Sequence, residues 1–200
     1  MENLHFLHLS WDDIQRLAEV LAGKIDASGY KPDIIVAVSR GGFDPSRILC
    51  DQLSIRRLAC VQVEAYDGMV KRPEPIVVLP VNADLYGRRA LLVDDVSDSG
   101  ASLLKARGHL VEKSASEVRI ATLHIKPWAK FIPDYYAESV DAWVVYPWEL
   151  KECLLEVATK LHTDGYAGEA LSDKLVEAGF GRRDVEKYLP CKTSSLEEYD

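Results

Sequence analysis

Residues 90–102 contain an apolar run, an acidic pair and a segment of small residues in succession, and this order limits the possible folds more than any other part of the chain. The apolar run 90–93 is typical of the end of a buried strand, and the acidic pair Asp94 and Asp95 follows it directly. The small residues of segment 98–102 then lead into a helical pattern. A strand that passes through a short loop into a helix predicts an anion site, because backbone N–H groups at a helix N-terminus point the same way.

The side chains around this loop suit a ribose phosphate. Gly100 lets the backbone approach a phosphate closely, and the hydroxyls of Ser99 and Ser102 add hydrogen-bond donors. Asp94 and Asp95 cannot bind a phosphate, but they can accept hydrogen bonds from sugar hydroxyls or hold Mg²⁺ through oxygen. The simpler alternative is an acidic strand end that is followed by an ordinary capped helix.

The complete stretch resembles the phosphoribosyl pyrophosphate signature of the type I phosphoribosyltransferases. That family usually has threonine at two loop positions, and Ser99 and Ser102 keep the hydroxyl group there. Ala101 is a mild departure at a variable position. The resemblance implies that this loop holds the 5′-phosphate, and that Asp94 and Asp95 orient the ribose hydroxyls and bind Mg²⁺.

A second loop, Ser39 to Gly42, follows the continuous apolar run 34–38, which is typical of a strand buried in a parallel sheet. Arg40 can bind a phosphate through two hydrogen bonds, and the glycines allow a backbone that aims N–H groups at an anion. A tight turn with a solvated Arg40 is the alternative. The segment resembles the pyrophosphate loop of the same family, which often contains a non-proline cis peptide, here expected at Ser39–Arg40.

Asp98 is the general base that the resemblance implies, since it would face N7 of a purine beside the phosphate loop. The alternative role of Asp98 is to cap the following helix, because small residues come after it. The residues implied in phosphoribosyl pyrophosphate binding are Ser39, Arg40, Gly41, Gly42, Asp94, Asp95, Asp98, Ser99, Gly100, Ala101 and Ser102.

Residues 123–127 and 141–149 resemble the purine pocket of the xanthine–guanine phosphoribosyltransferases. The resemblance implies that Lys126 contacts the 6-oxo group of the purine and that Trp143 stacks on its ring. It also implies that the backbone carbonyl of Val144 helps to read the 2-substituent. Taken by themselves, Lys126 would be a surface charge and Trp143 a core residue.

Strands alternate with helices over residues 1–150, which predicts an α/β fold with a mostly parallel twisted sheet flanked by helices. The resemblance implies the same fold. In such sheets the ligand binds beyond the carboxyl ends of the strands, where both loops lie. The predicted strands are 34–38, 58–64, 76–79, 90–93, 118–123 and 142–145; the predicted helices are 11–28, a second one capped by Asp44, and 102–113.

The predicted phosphoribosyltransferase domain, 1–150, includes a flap at 66–89, where prolines, glycines and charges predict a mobile loop. Charged flap residues could face the ligand, although solvated surface charge is the simpler interpretation. A small C-terminal helical extension is predicted at 151–190, and a flexible tail at 191–200. The charged flap residues are Lys71, Arg72, Arg88 and Arg89, and the helices predicted at the C-terminal end are 150–163, 168–178 and 182–189.

The net charge of −8 argues against broad nucleic-acid binding, which favours basic surfaces. No apolar run approaches the ~20 residues of a membrane span, and the N-terminus lacks the cationic start of a secretory signal. The four cysteines lie far apart without a C-x-x-C pair, which indicates free thiols in a reducing cytoplasm and argues against zinc. The family resemblance implies a homo-oligomer, either a dimer or a tetramer.

The resemblance implies that the chain transfers the 5-phosphoribosyl group from phosphoribosyl pyrophosphate to a 6-oxopurine, with release of pyrophosphate, in purine salvage. The choice among hypoxanthine, guanine and xanthine stays open. One alternative is a non-catalytic sensor of phosphoribosyl pyrophosphate or a nucleotide with the same fold; another is an enzyme for a different acceptor base. The presence of Asp98, Lys126 and Trp143 favours the enzyme over the sensor.

Overall fold

The computed structural model describes residues 5–67 and 70–189, and for residues 65–67 and 70–73 it describes the backbone alone. These residues form two compact units, one made of residues up to Trp11 together with those from Ala142 onwards, and one that spans Asp12–Asp141. The elements are β1 (Phe6–His8), α1 (Trp11–Ala27), β2 (Ile34–Ser39), α2 (Phe43–Gln52), β3 (Leu58–Asp67), β4 (Val70–Leu79), β5 (Arg89–Ser97), α3 (Ala101–Glu112), β6 (Glu117–Ile125), β7 (Tyr135–Ser139), β8 (Trp143–Val145), α4 (Leu150–Thr163), α5 (Gly168–Glu177) and α6 (Arg182–Tyr188).

A six-stranded sheet with the order β4-β3-β2-β5-β6-β7 forms the centre of the larger unit. Its neighbouring strands are parallel except for the antiparallel pair of β3 and β4, which confirms the predicted α/β fold with a mostly parallel sheet. Strands β2 and β5 are neighbours, with Ile34 opposite Ala90 and Ala37 opposite Val93. The loops that follow these two strands therefore leave the sheet side by side.

Helices cover the sheet because its central strands are apolar on both faces. The buried side chains of Leu103, Ala106 and Leu110 on α3 pack in one hydrophobic core with Val36 and Leu92. Helix α2 contacts β2 and β5. Burying these central strands between helices removes them from water, so the loops that follow β2 and β5 start from a rigid platform.

Helix α1 lies along the edge strand β7. The ammonium group of Lys24 donates hydrogen bonds to the carbonyl oxygens of Tyr136 and Ala137, at 2.6 and 3.1 Å. The apolar face of α1 is buried, as its helical spacing predicts, through Ile14, Leu17, Ala18, Leu21, Ala22 and Ile25.

Two local predictions differ from the structure, and two strands were not predicted. Strand β4 covers Val70–Leu79 within the predicted flap, pairs with β3 and is longer than the predicted strand 76–79. Gly42, and not Asp44, occupies the N-cap of α2, which places Asp44 inside the first helical turn. The short strands β1 and β7 were not predicted at all.

The other unit combines a small sheet with three helices. Strands β1 and β8 pair in parallel, with Phe6 opposite Trp143 and His8 opposite Val145. The ring of His8 donates a 2.9 Å hydrogen bond to the carbonyl of Ala178 and meets the ring of Phe180 edge-on at 4.8 Å. Helices α4, α5 and α6 share the core of this unit, whose buried residues are Val145, Cys153, Leu154, Ala158, Leu161, Leu171, Leu175, Phe180 and Val185.

The helices predicted at the C-terminal end thus occur, but they form a unit together with β1 and β8. The division into a domain at 1–150 and an extension at 151–190 stays a prediction. The predicted tail at 191–200 lies outside the described residues. Within the parts of the chain that the structure describes, no helix has the length and apolar character needed to cross a bilayer.

Candidate active site

The loop after β2 and the end of β5 touch each other at Gly41 and Asp95. A Cβ atom on Gly41 would overlap the carboxylate of Asp95, and a Cβ atom on Gly42 would overlap the carbonyl oxygens of Val93 and Val38. Both glycines are therefore required by close packing of the loop after β2 against the end of β5. The sequence predicted that both loops lie at the carboxyl ends of strands, and in the structure these two strands are neighbours, which brings the loops into direct contact.

Asp94 and Asp95 lie at the carboxyl end of β5, with Asp95 only 8% exposed and Asp94 half-buried. Oδ1 of Asp94 accepts a 3.1 Å hydrogen bond from the N–H of Asp95, and Oδ1 of Asp95 accepts one of 2.6 Å from the N–H of Val96. These bonds hold the two carboxylates against the strand end. Their oxygens match the ligands that Mg²⁺ prefers.

The described residues contain no group of three or more His, Cys, Asp or Glu side chains that could bind a metal ion. The acidic pair alone provides too few ligands for a protein-enclosed site. It fits a Mg²⁺ ion that keeps several waters and completes its shell with substrate oxygens, which is the usual behaviour of this ion at phosphate substrates.

The predicted phosphate loop opens helix α3. Gly100 occupies the N-cap with φ +83°, a left-handed conformation that favours glycine, and a Cβ atom there would lie 2.6 Å from Cβ of Phe131. The N–H of Ala101 bonds Oγ of Ser99 at 3.4 Å, and Ser102 is half-buried in the first turn. No side chain caps the helix, so the alternative in which Asp98 is its cap is wrong.

The loop after β2 contains the expected cis peptide between Ser39 and Arg40. The side chain of Arg40 is exposed and Ser39 is half-buried. Arg89, one of the charged flap residues, is engaged elsewhere: its guanidinium forms two hydrogen bonds with the carboxylate of Asp33, at 3.0 and 3.1 Å. Lys71 and Arg72 have no described side chains.

Lys126 and Asp98 face a common side chain, Trp128. The indole N–H of Trp128 donates a 2.9 Å hydrogen bond to Oδ1 of Asp98, and the ammonium nitrogen of Lys126 lies 5.6 Å from the centre of its ring. Asp98 itself is exposed. Sequence reasoning did not predict the contact between Trp128 and Asp98, although an aromatic residue two positions after Lys126 was a visible signal.

Lys126 is 9% exposed, in contrast to the surface charge that the residue type alone suggests. Burial lowers the pKa of its ammonium group, while Asp98 and Asp141 act in the opposite direction. Two positions earlier, burial lowers the pKa of His124 to about 4, so this imidazole is neutral at pH 7. The strand end of β6 therefore places a buried cation next to a neutral histidine.

Trp143 and Val144 lie in β8 of the other unit. The Trp143 side chain is 50% exposed, so it is not the core residue that its type alone suggests, and it makes a hydrogen bond with the thiol of Cys153. Burial raises the pKa of that thiol to about 12. The side chain of Val144 is buried, and its strand pairs with Leu7.

Comparisons with known proteins give a consistent set of relatives. Residues 10–152 match the family described as the phosphoribosyl transferase domain. A xanthine-guanine phosphoribosyltransferase from Cereibacter sphaeroides is 32% identical over 152 residues, which cover 72% of this chain and 86% of the relative.

Solved structures agree with these relatives. The purine phosphoribosyltransferase from Pyrococcus horikoshii has 35% sequence identity and a TM-score of 0.63, over 72% of this chain and 93% of that one. A hypothetical protein from Neisseria gonorrhoeae, solved with bound ppGpp, has 31% identity and a TM-score of 0.65, over 74% and 92%.

Proposed function

Because this chain belongs to the phosphoribosyltransferase family, we propose that it transfers the 5-phosphoribosyl group from phosphoribosyl pyrophosphate to a 6-oxopurine. The products are a nucleoside monophosphate and pyrophosphate, and the cellular role is purine salvage. The relatives named as xanthine-guanine and purine phosphoribosyltransferases support this acceptor class. They give no support to the alternative of a non-catalytic sensor.

The contact between Gly41 and Asp95 is the observation that carries the proposal. It joins a loop with an exposed guanidinium, Arg40, to a loop that opens a helix N-terminus at Gly100. A substrate with a phosphate at one end and a pyrophosphate at the other needs two adjoining anion sites, whereas a simple nucleotide needs one. Phosphoribosyl pyrophosphate has that charge distribution.

The loop residues have separate roles in this proposal. The N–H groups and hydroxyls of the segment Asp98–Ser102 hold the 5′-phosphate, and the loop Ser39–Gly42 binds the pyrophosphate. The carboxylates of Asp94 and Asp95 accept hydrogen bonds from the ribose hydroxyls. Fixing both ends of the sugar phosphate brings C1′ into line with the acceptor nitrogen, and orientation of this kind removes much of the entropic barrier.

In the proposed reaction, Asp98 takes up the proton that the purine loses from N7. As purine N9 forms a bond to C1′, the bond from C1′ to the pyrophosphate oxygen breaks, and that oxygen keeps the electron pair. The proton on N7 moves to the carboxylate of Asp98, which acts as general base. Positive charge on Arg40 stabilises the charge that develops on the departing pyrophosphate.

Asp94 and Asp95 would hold Mg²⁺ in this enzyme, directly or through water. The ion, when bound, would neutralise part of the pyrophosphate charge. Asp95 fits this role because its carboxylate lies beside Gly41 of the proposed pyrophosphate loop.

The family resemblance implies a separate base-contacting role for each of Lys126, Trp143 and Val144. Lys126 donates a hydrogen bond to the 6-oxo group, a role that suits a buried ammonium group. Trp143 offers a half-exposed indole face for stacking. The backbone carbonyl of Val144 accepts from the 2-position of the purine, which would help to separate guanine, xanthine and hypoxanthine.

A competition assay tests the function. Purified protein is supplied with phosphoribosyl pyrophosphate, Mg²⁺ and equal amounts of hypoxanthine, guanine and xanthine, and both pyrophosphate and the three monophosphates are measured. Turnover with at least one 6-oxopurine and none with adenine or orotate is expected. Binding of phosphoribosyl pyrophosphate without turnover on any base would contradict the proposal and favour a sensor.

The remaining expectations complete the proposal. The enzyme works in the cytoplasm, which agrees with thiols at Cys50, Cys60 and Cys153 that form no disulfide. It assembles as a dimer or tetramer, as the family resemblance implies, and its partners are its small-molecule substrates. Light scattering of the purified chain measures the assembly state.

A further inference from the structure

We propose that Trp128 is a positioning residue for the general base: its indole N–H occupies one oxygen of the Asp98 carboxylate and directs the other towards the purine. The inference rests on the proposed function, in which Asp98 accepts the N7 proton. It adds a residue that the resemblance to known phosphoribosyltransferases does not supply.

The geometry is held by the backbone on both sides of the contact. The N–H of Lys126 donates to the carbonyl of Ser97 at 3.0 Å, so the end of β6 is tied to the residue that precedes Asp98. The N–H of Ala129 donates to the carbonyl of Lys126, also at 3.0 Å, and closes a turn that contains Trp128. This turn carries the indole to Oδ1 of Asp98.

Asp98 needs such a partner because it is exposed and does not cap α3. An exposed aspartate samples several rotamers, and a general base works only while its oxygen lies within hydrogen-bond reach of the proton. The indole N–H is a donor only, so it binds a carboxylate oxygen and cannot compete for the substrate proton. With Oδ1 engaged, Oδ2 is the oxygen that can take the proton from N7.

The exposure of Trp128 argues against a purely structural role. Its side chain is 57% exposed, so it contributes little to the core, and its indole N–H is engaged by Asp98. Its ring also lies near the ammonium group of Lys126, the proposed 6-oxo ligand. One side chain therefore contacts both groups that would read the polar edge of the purine.

Kinetics of three variants test the inference. Trp128→Phe keeps a ring but loses the N–H, and kcat should fall at least about tenfold with little change in KM for phosphoribosyl pyrophosphate. Trp128→His keeps a ring N–H and should recover part of kcat. Ile132→Ala, an exposed apolar change a few residues along the same segment, should leave kcat unchanged.

Two kinetic results would overturn the inference. An unchanged kcat in folded Trp128→Phe would show that the N–H does not assist the reaction. A lower KM for the purine with unchanged kcat would show instead that the indole occupies the base site and competes with the substrate. Circular dichroism of each variant establishes that it is folded before its kinetics are compared.

A spectroscopic measurement tests the contact without turnover. The ¹⁵N-labelled protein has four tryptophans, and the indole N–H signal that disappears in Trp128→Phe belongs to Trp128. Asp98→Ala should shift that signal, whereas Asp134→Ala should not; equal effects would contradict the contact. If the wild type turns over no base but the signal shifts, the proposed function fails while the hydrogen bond stands.

Discussion

The carboxylate of Asp95 fills the space that a side chain on Gly41 would need. The loop Ser39–Gly42 and the acidic end of β5 are consequently packed against each other. Asp95 is nearly buried in this contact and bonded to the N–H of Val96, so it has little room to retreat. A change on one loop must therefore disturb the other.

Gly41→Ala tests this packing. The added methyl group would overlap the Asp95 carboxylate, and we expect KM for phosphoribosyl pyrophosphate to rise about tenfold or more, which corresponds to ~1.4 kcal/mol. The matched control is Gly108→Ala on α3, where a Cβ atom meets nothing within 4 Å. That control should keep its kinetics and gain ~0.5–1 kcal/mol in stability. Normal kinetics in Gly41→Ala would show that the two loops move apart freely.

Asp98→Asn removes the proposed general base but keeps an acceptor for the hydrogen bond from Trp128. The amide oxygen can still accept the hydrogen bond from Trp128, so the loop should keep its shape. Loss of general-base catalysis should lower kcat by ~10²–10⁴ with little change in KM for phosphoribosyl pyrophosphate. Asp51→Asn, an exposed carboxylate on α2, is the control. Unchanged turnover in Asp98→Asn would remove Asp98 from the mechanism.

Lys126→Ala tests the base site. Loss of a charged hydrogen bond, worth ~1.5–3 kcal/mol, should raise KM for the oxopurine by ~10–100-fold. Binding of phosphoribosyl pyrophosphate, measured by calorimetry, should change far less, because the loops proposed to bind it follow β2 and β5, whereas Lys126 follows β6. Lys130→Ala, an exposed lysine in the following segment, should have no effect. Equal weakening for both substrates would contradict the assignment of Lys126.

His124 makes the stability of the protein depend on pH. Burial lowers the pKa of this imidazole from its ordinary value of 6.5 to about 4 in the folded chain. Below pH 6.5 the unfolded chain binds a proton that the folded chain does not, so the free energy of unfolding falls as pH decreases from 6.5 to 4. The full loss is ~3 kcal/mol, on the scale of ~1.4 kcal/mol for each pKa unit.

Urea unfolding at pH 7.5 and pH 5 measures this effect. His124→Gln and His124→Leu cannot titrate in this range, and each should lose less stability than the wild type between the two pH values. His162→Gln, which changes an exposed histidine, should retain the wild-type difference. The same pH difference in all four proteins would show that His124 does not control acid sensitivity.

The sequence was sufficient to predict the two strands that precede the loops 39–42 and 94–102. The runs 34–38 and 90–93 are apolar enough to predict buried parallel strands, and the structure confirms both strands as β2 and β5. Local composition determines these features, so local reasoning finds them. The contact of Gly41 with Asp95 could not be read in this way, because it depends on which strands are neighbours.

Most of the secondary structure that the sequence did not predict lies in edge strands of the sheet. Strand β4 contains Pro73 and Pro75, which normally argue against a strand, but proline is tolerated at the edge of a sheet because an outward-facing N–H has no partner there. Strand β7 is the opposite edge and is short. The error at Asp44 has another origin: Asp followed by Pro imitates a helix start, while the tight packing of Gly42 against β5 sets the true one.

The prolines of β4 also affect whether two molecules of this protein can associate through their strand edges in solution. An exposed strand edge is a template for a strand from a second molecule, and such pairing leads to aggregation. A strand that lacks two of its N–H donors is a poor template, because a continuous ladder of hydrogen bonds cannot form along it. The sheet edge formed by β4 is thereby protected against pairing with strands of other molecules at high protein concentration.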